Sequence, residues 1–416
     1  MTPQNLFIII IVILCFNELL SNLLLWLNLK NSPAKLPQEL EGLYTNEEYQ
    51  RSLAYKKAVG HFSLFTGTLS FVVTLMLIVT GGFAVVAEWV NGQVNHPIGQ
   101  TMVFFAVLML ANNVLTLPFQ LYSTFVIEER FGFNKITPKT FIIDKVKGYI
   151  LGGVLGGALG FAFLYLIAQM QQQFWVYFWV VIAVFMVFMN MFYTSLIMPL
   201  FNKFTPLEEG ELRTSIEQYC QKVNFPLNNL FVIDGSRRST KANAFFSGMG
   251  AKKKVVLYDT LIQNHSTQEL VAVLAHEVGH YKKKHIPVSM LISVLQIGLV
   301  LCILSWFLFN PALSQALGAS SLNIGLNLLA FGFLYSPISM ITSLFMNIFS
   351  RKNEYEADAY ACTTYNGKAL ASALKKLSSD NLSNLTPHPA YVFFHYSHPP
   401  LLARLKAMQE TDEYNI

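Results

Sequence analysis

LFIIIIVILCFNELLSNLLLWLNL, residues 6–29, carries one charge, Glu18, along its whole length. A helix rising about 1.5 Å per residue over such a run crosses the roughly 30 Å hydrocarbon core of a bilayer. FSLFTGTLSFVVTLMLIVTGGFAVVA, residues 62–87, has no charge at all. A large soluble core can absorb one such stretch but not a series of them, so the pattern reads as a membrane protein. Composition agrees: 53% of the 416 residues are apolar and 13% charged, where about a quarter of a soluble chain is charged. Nothing basic precedes Leu6, the run is too long for the core of a signal peptide, and no small-residue cleavage site closes it. The segment therefore reads as a permanent span.

Seven spans are predicted, over residues 5–28, 62–87, 101–121, 148–168, 174–199, 286–310 and 323–349. The third contains Asn112 and Asn113, expected to face a bundle interior or a wet cavity. The fourth opens with Gly152, Gly153, Gly156, Gly157 and Gly160, small residues expected to permit close helix contact. The connection after the first span carries Lys30, Lys35, Arg51, Lys56 and Lys57. That after the third carries Arg130, Lys135, Lys139, Lys145 and Lys147. The alternate connections, 88–100, 169–173 and 311–322, have no lysine or arginine. By the positive-inside rule the first set, with the C-terminus, is cytoplasmic and the N-terminus is not.

This divides the chain into 1–199 (five spans and their loops), 200–285 (cytoplasmic), 286–349 (two spans) and 350–416 (cytoplasmic). Within 200–285, residues 229–234 and 255–258 read as strands and a helical pattern starts at Thr267. The two polar sections are expected to meet over one site at the cytoplasmic ends of the spans. Cys15, Cys220, Cys302 and Cys362 are isolated and read as small hydrophobes, not as a disulfide framework or thiolate metal site. The net charge of +5 suits a membrane-facing basic rim, and no concentrated basic motif points to nucleic acid.

Chemistry concentrates at HEVGH, residues 276–280. On a helix, His276 and His280 share a face and can bind one metal ion, while Glu277 between them points toward a bound water. Zinc suits such convergent imidazoles with an open coordination position. The following basic cluster, 281–285, reads as a headgroup anchor, and His61, His96, His265 and His285 show no convergent partner. His388 and His395 read as packing or local hydrogen-bonding residues. A third ligand has to come from elsewhere. In EYEAD, residues 354–358, Glu354 and Asp358 share a helical face that Glu356 leaves. That allows Glu354 to bind metal and Asp358 to steady a ligating histidine, though other acids can also fold back toward the pair.

The segments EERFGFN (128–134), NKFTPL (202–207), HEVGH (276–280), SRKNEYEAD (350–358) and SHPP (397–400), in this order among seven spans, resemble the type I CAAX prenyl proteases. These are membrane zinc metalloproteases also known as a-factor-converting enzymes. The resemblance covers most of the chain. It implies an all-α multi-pass membrane protein, with seven transmembrane helices forming a barrel around a large chamber and a cytoplasmic zincin-like catalytic cap. It assigns the third position on a single zinc ion to Glu354. It further implies Asp358 as a partner of a ligating histidine, and His398 and Arg404 in oxyanion stabilisation or site architecture. Asn243, Ala244 and Phe245 are placed at the substrate-binding strand, where an extended peptide pairs through its backbone.

Implied partners are membrane lipids and peptide or protein substrates, possibly prenylated near the C-terminus, with no obligate protein partner. A membrane quality-control protease without prenyl specificity fits the same residues. A transporter has no need of HEVGH, and an inactive zinc scaffold no need of Glu277 beside a full ligand set. No retention tail is evident, favouring a bacterial cytoplasmic membrane over the endoplasmic reticulum.

Overall fold

The computed structural model describes residues 1–33, 35–36, 45–227, 230–247 and 254–413. The membrane portion opens with helix α1 (Pro3–Lys30), α2 (Asn46–Val79), α3 (Gly82–Gln93), α4 (Pro97–Tyr122), α5 (Pro138–Met170) and α6 (Phe174–Phe192). The cap follows with β1 (Phe204–Pro206), α7 (Glu211–Lys222), β2 (Leu230–Ile233), β3 (Ala244–Ser247), β4 (Lys254–Tyr258), α8 (Asp259–Asn264) and α9 (Thr267–Lys282). The chain returns to the membrane through α10 (His285–Phe307), α11 (Pro311–Ala316) and α12 (Ile324–Ala361). It ends in α13 (Gly367–Asp380), α14 (Pro389–His395) and α15 (Leu401–Glu413).

Among the described residues, six helical runs are long and apolar enough to cross a bilayer. One of them, 138–200, folds back on itself: Gln171 sits at φ 47° in a 3-10 turn, and α5 then packs on α6 through Phe163, whose ring lies 4.7 Å from that of Phe178. The predicted span over 62–87 is corrected. α2 begins at Asn46, ends at Val79, and a separate helix, α3, carries the rest. The break falls at Gly81, whose φ of 68° suits a residue without a side chain. The glycines of α5 are also corrected, because a Cβ on any of Gly152, Gly153, Gly156, Gly157 or Gly160 meets nothing within 4 Å. They line open space and seat no neighbouring helix.

α3 and α11 close the end of the bundle that holds Leu6, Phe104 and Leu326. Along α12 that end is about 40 Å from Glu354. At the other end lies a four-stranded sheet in the order β1-β2-β4-β3, so the cap carries strands, as expected around 229–234 and 255–258, on an otherwise all-α multi-pass chain. β2 and β4 are parallel; β1 and β3 add antiparallel edges. The strand predicted over 229–234 occupies Leu230–Ile233, with residue 229 outside the described residues. β1 and β3 span three and four residues, too few to show a period in sequence. The cap core wraps α9: Leu270, Val271, Leu274, Ala275 and Val278 pack with Val255 and Leu257 of β4, Ile216 and Tyr219 of α7, and Leu370 of α13. Cys220 belongs to this core and burial pushes its thiol up to about 12; all four cysteines are free.

Two buttresses tie cap to membrane helices. Arg238 donates from Nε and Nη2 to Asp144 at 2.8 and 3.1 Å, and to Asn202 Oδ1 and the Phe201 carbonyl. Lys241 Nζ donates to Glu128 at 2.9 Å and to Tyr55 Oη at 2.8 Å, while Tyr55 donates to Glu128 at 2.6 Å. EERFGFN and NKFTPL thus hold the loop that leads into β3.

Candidate metal centre

α9 starts at a capping box. Ser266 Oγ accepts from the Glu269 amide and Glu269 Oε2 accepts from the Ser266 amide at 2.8 Å. Such a cap is worth about 1 kcal/mol. The Glu269 carboxylate also accepts from Ser372 and Lys376 of α13, at 2.6 and 2.7 Å. Burial alone would raise this carboxyl; Lys376 and Ser372 outweigh it and hold it at about 2. The far end of α9 lies against α12 at backbone distance. A Cβ at Gly279 would stand 3.0 Å from Ala357 Cα and 3.1 Å from its carbonyl oxygen, atoms that cannot swing aside as a side chain can. The glycine of HEVGH therefore sets the spacing between the two helices that carry the site.

That spacing brings His276, His280 and Glu354 together, with one ligand atom from each inside a 4.8 Å cluster. The two Nε2 atoms are 3.1 Å apart. Glu354 places Oε2 3.5 Å from His276 Nε2 and Oε1 3.3 Å from His280 Nε2. Ligands at about 2.0–2.1 Å around a tetrahedral zinc lie about 3.3 Å from one another, so these separations already match those between ligands of one zinc ion. The donor set of two imidazoles and a carboxylate is that of a catalytic zinc, with the fourth position free for water. Glu354 is 3% exposed, and its buried Oε2 makes no hydrogen bond of acceptable geometry, though His398 Nδ1 lies 3.0 Å away. Burial pulls this carboxyl up, but His280, His398, His276 and Arg404 more than reverse that and keep it well below the carboxylate range. An ionised, buried oxygen with unspent lone pairs fits a cation. The cluster can coordinate a single zinc ion.

The Peptidase family M48 description matches residues 206–412, and that of the CAAX prenyl protease N-terminal part, five membrane helices, matches 26–203. The probable CAAX prenyl protease 1 of Schizosaccharomyces pombe is 36% identical over 398 residues, covering 91% of this chain and 82% of that protein. The CAAX prenyl protease 1 homolog of Oryza sativa subsp. japonica is 36% identical, covering 96% and 97%. The crystal structure of S. mikatae Ste24p superposes with a TM-score of 0.92 at 34% identity, covering 97% of this chain and 99% of that one. The chain belongs to the CAAX prenyl protease family. It is a multi-pass integral-membrane, zinc-dependent metalloendopeptidase of the CAAX-protease type, and proteases of this family act on peptide or protein substrates in or near a membrane.

Around the three ligands, the residues that the family resemblance named fall at different distances. Asp358, 1% exposed, places Oδ1 2.8 Å from His276 Nδ1. It also accepts two bonds from Arg404, at 2.8 Å from Nε and 2.6 Å from Nη2. Arg404 Nη1 reaches within 3.5 Å of Glu354. His398 is beside Glu354 but 66% exposed, facing open space. Glu277 is half-buried, and among the described residues no hydrogen bond holds its carboxylate. Asn243 turns its Oδ1 back to accept from the Ala244 amide, and its carbonyl accepts from Tyr258 N at the start of the β3–β4 ladder. β3 is an edge strand, and it touches α9.

Sequence reasoning left His285 among the basic membrane-edge residues. It is instead buried, with Nδ1 2.9 Å from His280 Nδ1 and Nε2 3.3 Å from Glu356 Oε2. His265 is also buried, between the Leu261 and Ala373 carbonyls. His388 caps α14 by accepting from the Ala390 amide, and His395 packs on Tyr391.

Proposed function

We propose that this enzyme hydrolyses peptide bonds near the C-termini of prenylated, membrane-associated chains. The reaction takes place at the cytoplasmic mouth of a chamber enclosed by seven membrane helices. The observation that carries this reading is the packing of α9 on α12, which sets three zinc ligands and a free carboxylate directly beyond apolar helices. A hollow bundle is supported by how few residues of the candidate spans are buried against one another. It is supported too by polar pairs at membrane depth: Asn22 with Glu18 at 2.8 Å, Asn17 with Ser336 at 2.8 Å, and Gln296 with Thr342 at 3.0 Å. Such groups are costly in lipid and belong against water or one another.

Zinc, when bound, polarises the attacking water and the scissile carbonyl. Glu277 accepts the proton from that water and returns it to the departing amine. His398, exposed beside Glu354, donates to the oxygen that gains negative charge, and Arg404 fixes Asp358 and adds positive charge nearby. The open edge of β3 offers backbone groups at Ala244 and Phe245 to an extended substrate.

The substrate class is tested with one C-terminal peptide in farnesylated and unmodified forms, given to the purified enzyme in vesicles. The expected result is zinc-dependent cleavage of both, with kcat/KM at least about tenfold higher for the farnesylated form, as burial of only a few methylenes allows. Equal values would replace this reading with that of a membrane quality-control protease. For orientation, cysteine labels at 169–173 and near 409 are expected to react from opposite sides of the membrane. Reaction of both from one side overturns the seven-span arrangement.

A further inference from the structure

His276 and His280 meet the metal position through Nε2, so each must carry its proton on Nδ1. For His276 that proton has a ready acceptor in Asp358, 2.8 Å away. For His280 the corresponding atom faces no carboxylate. It faces Nδ1 of His285 at 2.9 Å, and the opposite nitrogen of His285 faces Glu356 Oε2 at 3.3 Å. One tautomer satisfies both contacts. His280 Nδ1–H donates to His285 Nδ1, and His285 Nε2–H donates to Glu356.

This arrangement is built at a conformational cost. Lys283 and Lys284 donate back to the Gly279 and Tyr281 carbonyls and end α9. Lys284 then adopts φ 59°, ψ 31°, a left-handed conformation uncommon for a residue with a side chain. That single residue reverses the chain so that His285, the first residue of α10, folds back edge-on to His280 with ring centroids 5.0 Å apart. Without it the three basic residues 282–284 would lead straight to the headgroups and His285 would go with them.

We propose that His285, backed by Glu356, is the positioning residue for His280. It holds the imidazole in its Nδ1–H tautomer and aims Nε2 at the zinc, as Asp358 does directly for His276. The two histidine ligands are thus steadied by two different carboxylates of α12, one through direct contact and one through an intervening imidazole. Glu356 lies on the helix face away from the metal and still reaches it by this route. The proposal rests on the zinc-site reading above and adds residues to it.

The test uses the purified full-length protein. Zinc affinity is measured by chelator competition, and the cobalt(II) form is examined by its visible absorption bands, which report ligand geometry without turnover. His285→Ala is expected to weaken zinc binding roughly 10–100-fold and to shift the cobalt bands. His285→Asn, whose side-chain oxygen stands near the lost Nδ1 acceptor, is expected to recover most of both. Glu356→Ala is expected to lose only a few-fold, and His285→Ala with Glu356→Ala together no more than His285→Ala alone, because the two act in one chain. Wild-type affinity and bands in His285→Ala overturn the proposal. So do equal losses in His285→Ala and His285→Asn, the pattern of a packing role, and additive losses in the double variant. If His285→Ala does not fold, the Asn and Glu356 variants decide by the same criteria. Failure of the wild type to bind one equivalent of zinc, or its retention in Glu354→Ala, sinks the zinc reading itself and is read separately.

Discussion

Glu277→Gln is expected to retain its zinc and lose hydrolysis by about 10²–10⁴-fold. The side chain sits on α9 between the two histidine ligands but is not itself in the ligand cluster. Replacing one carboxylate oxygen with an amide keeps its shape and removes its ability to take a proton. Among the described residues no hydrogen bond holds that carboxylate, so no structural partner is lost with it. Zinc content by elemental analysis and cleavage of a reporter peptide should be measured on one monodisperse preparation. Turnover within threefold of wild type would remove Glu277 from the proton-transfer role.

The second large effect separates the acids of α12. Glu354→Ala is expected to lower zinc affinity by more than about 100-fold, beyond the 10–100-fold loss of an outer partner. It removes the carboxylate of the cluster, whose charge would offset that of the metal and which lies within 3.5 Å of Arg404. Asp358→Ala should fall in the 10–100-fold range and also cost roughly 3–5 kcal/mol of stability. Arg404, whose side chain is 11% exposed, would be left with a buried charge and no bidentate partner. Zinc competition and thermal unfolding on the same samples distinguish the two. Glu354→Ala should lose mostly metal, and Asp358→Ala should lose metal and fold together. A metal-bound structure in which another side chain fills the third position overturns the assignment.

The unequal legibility of these residues has physical causes. HEVGH reads directly because four-residue spacing on a helix is a local fact, and the helical pattern from Thr267 puts the motif on such a helix. Glu354 and Asp358 share a face by the same arithmetic, yet spacing alone could not choose between them and other acids; the family resemblance made that choice. His285 was missed because its place depends on one left-handed residue, Lys284, and nothing in a lysine's identity announces φ 59°. The break in the second span at Gly81 was missed because the apolar run is continuous across it, and hydropathy measures transfer into lipid and is blind to chain reversal. Of the edge strands, β1 was missed for lack of length and β3 was placed only through the family resemblance. The stripe of glycines in α5 shows the converse error, because small residues permit contact but do not compel it.

The two ligand-bearing helices are joined to the bilayer in different ways. From Pro337 to Ala361, α12 is unbroken, so Glu354 rides on a stiff arm about 25 Å long rooted among the lipid tails. α9 is linked to its own membrane helix through the single left-handed residue Lys284, a swivel. Each degree by which α12 leans moves Glu354 by about 0.4 Å, and the backbone contact of Gly279 with Ala357 and the bond from His276 to Asp358 carry His276 and His280 along with it. Transmembrane helices lean to match the thickness of the lipid around them. The three ligands therefore travel as one body when the helix leans, and their mutual distances are insulated from the thickness of the host membrane.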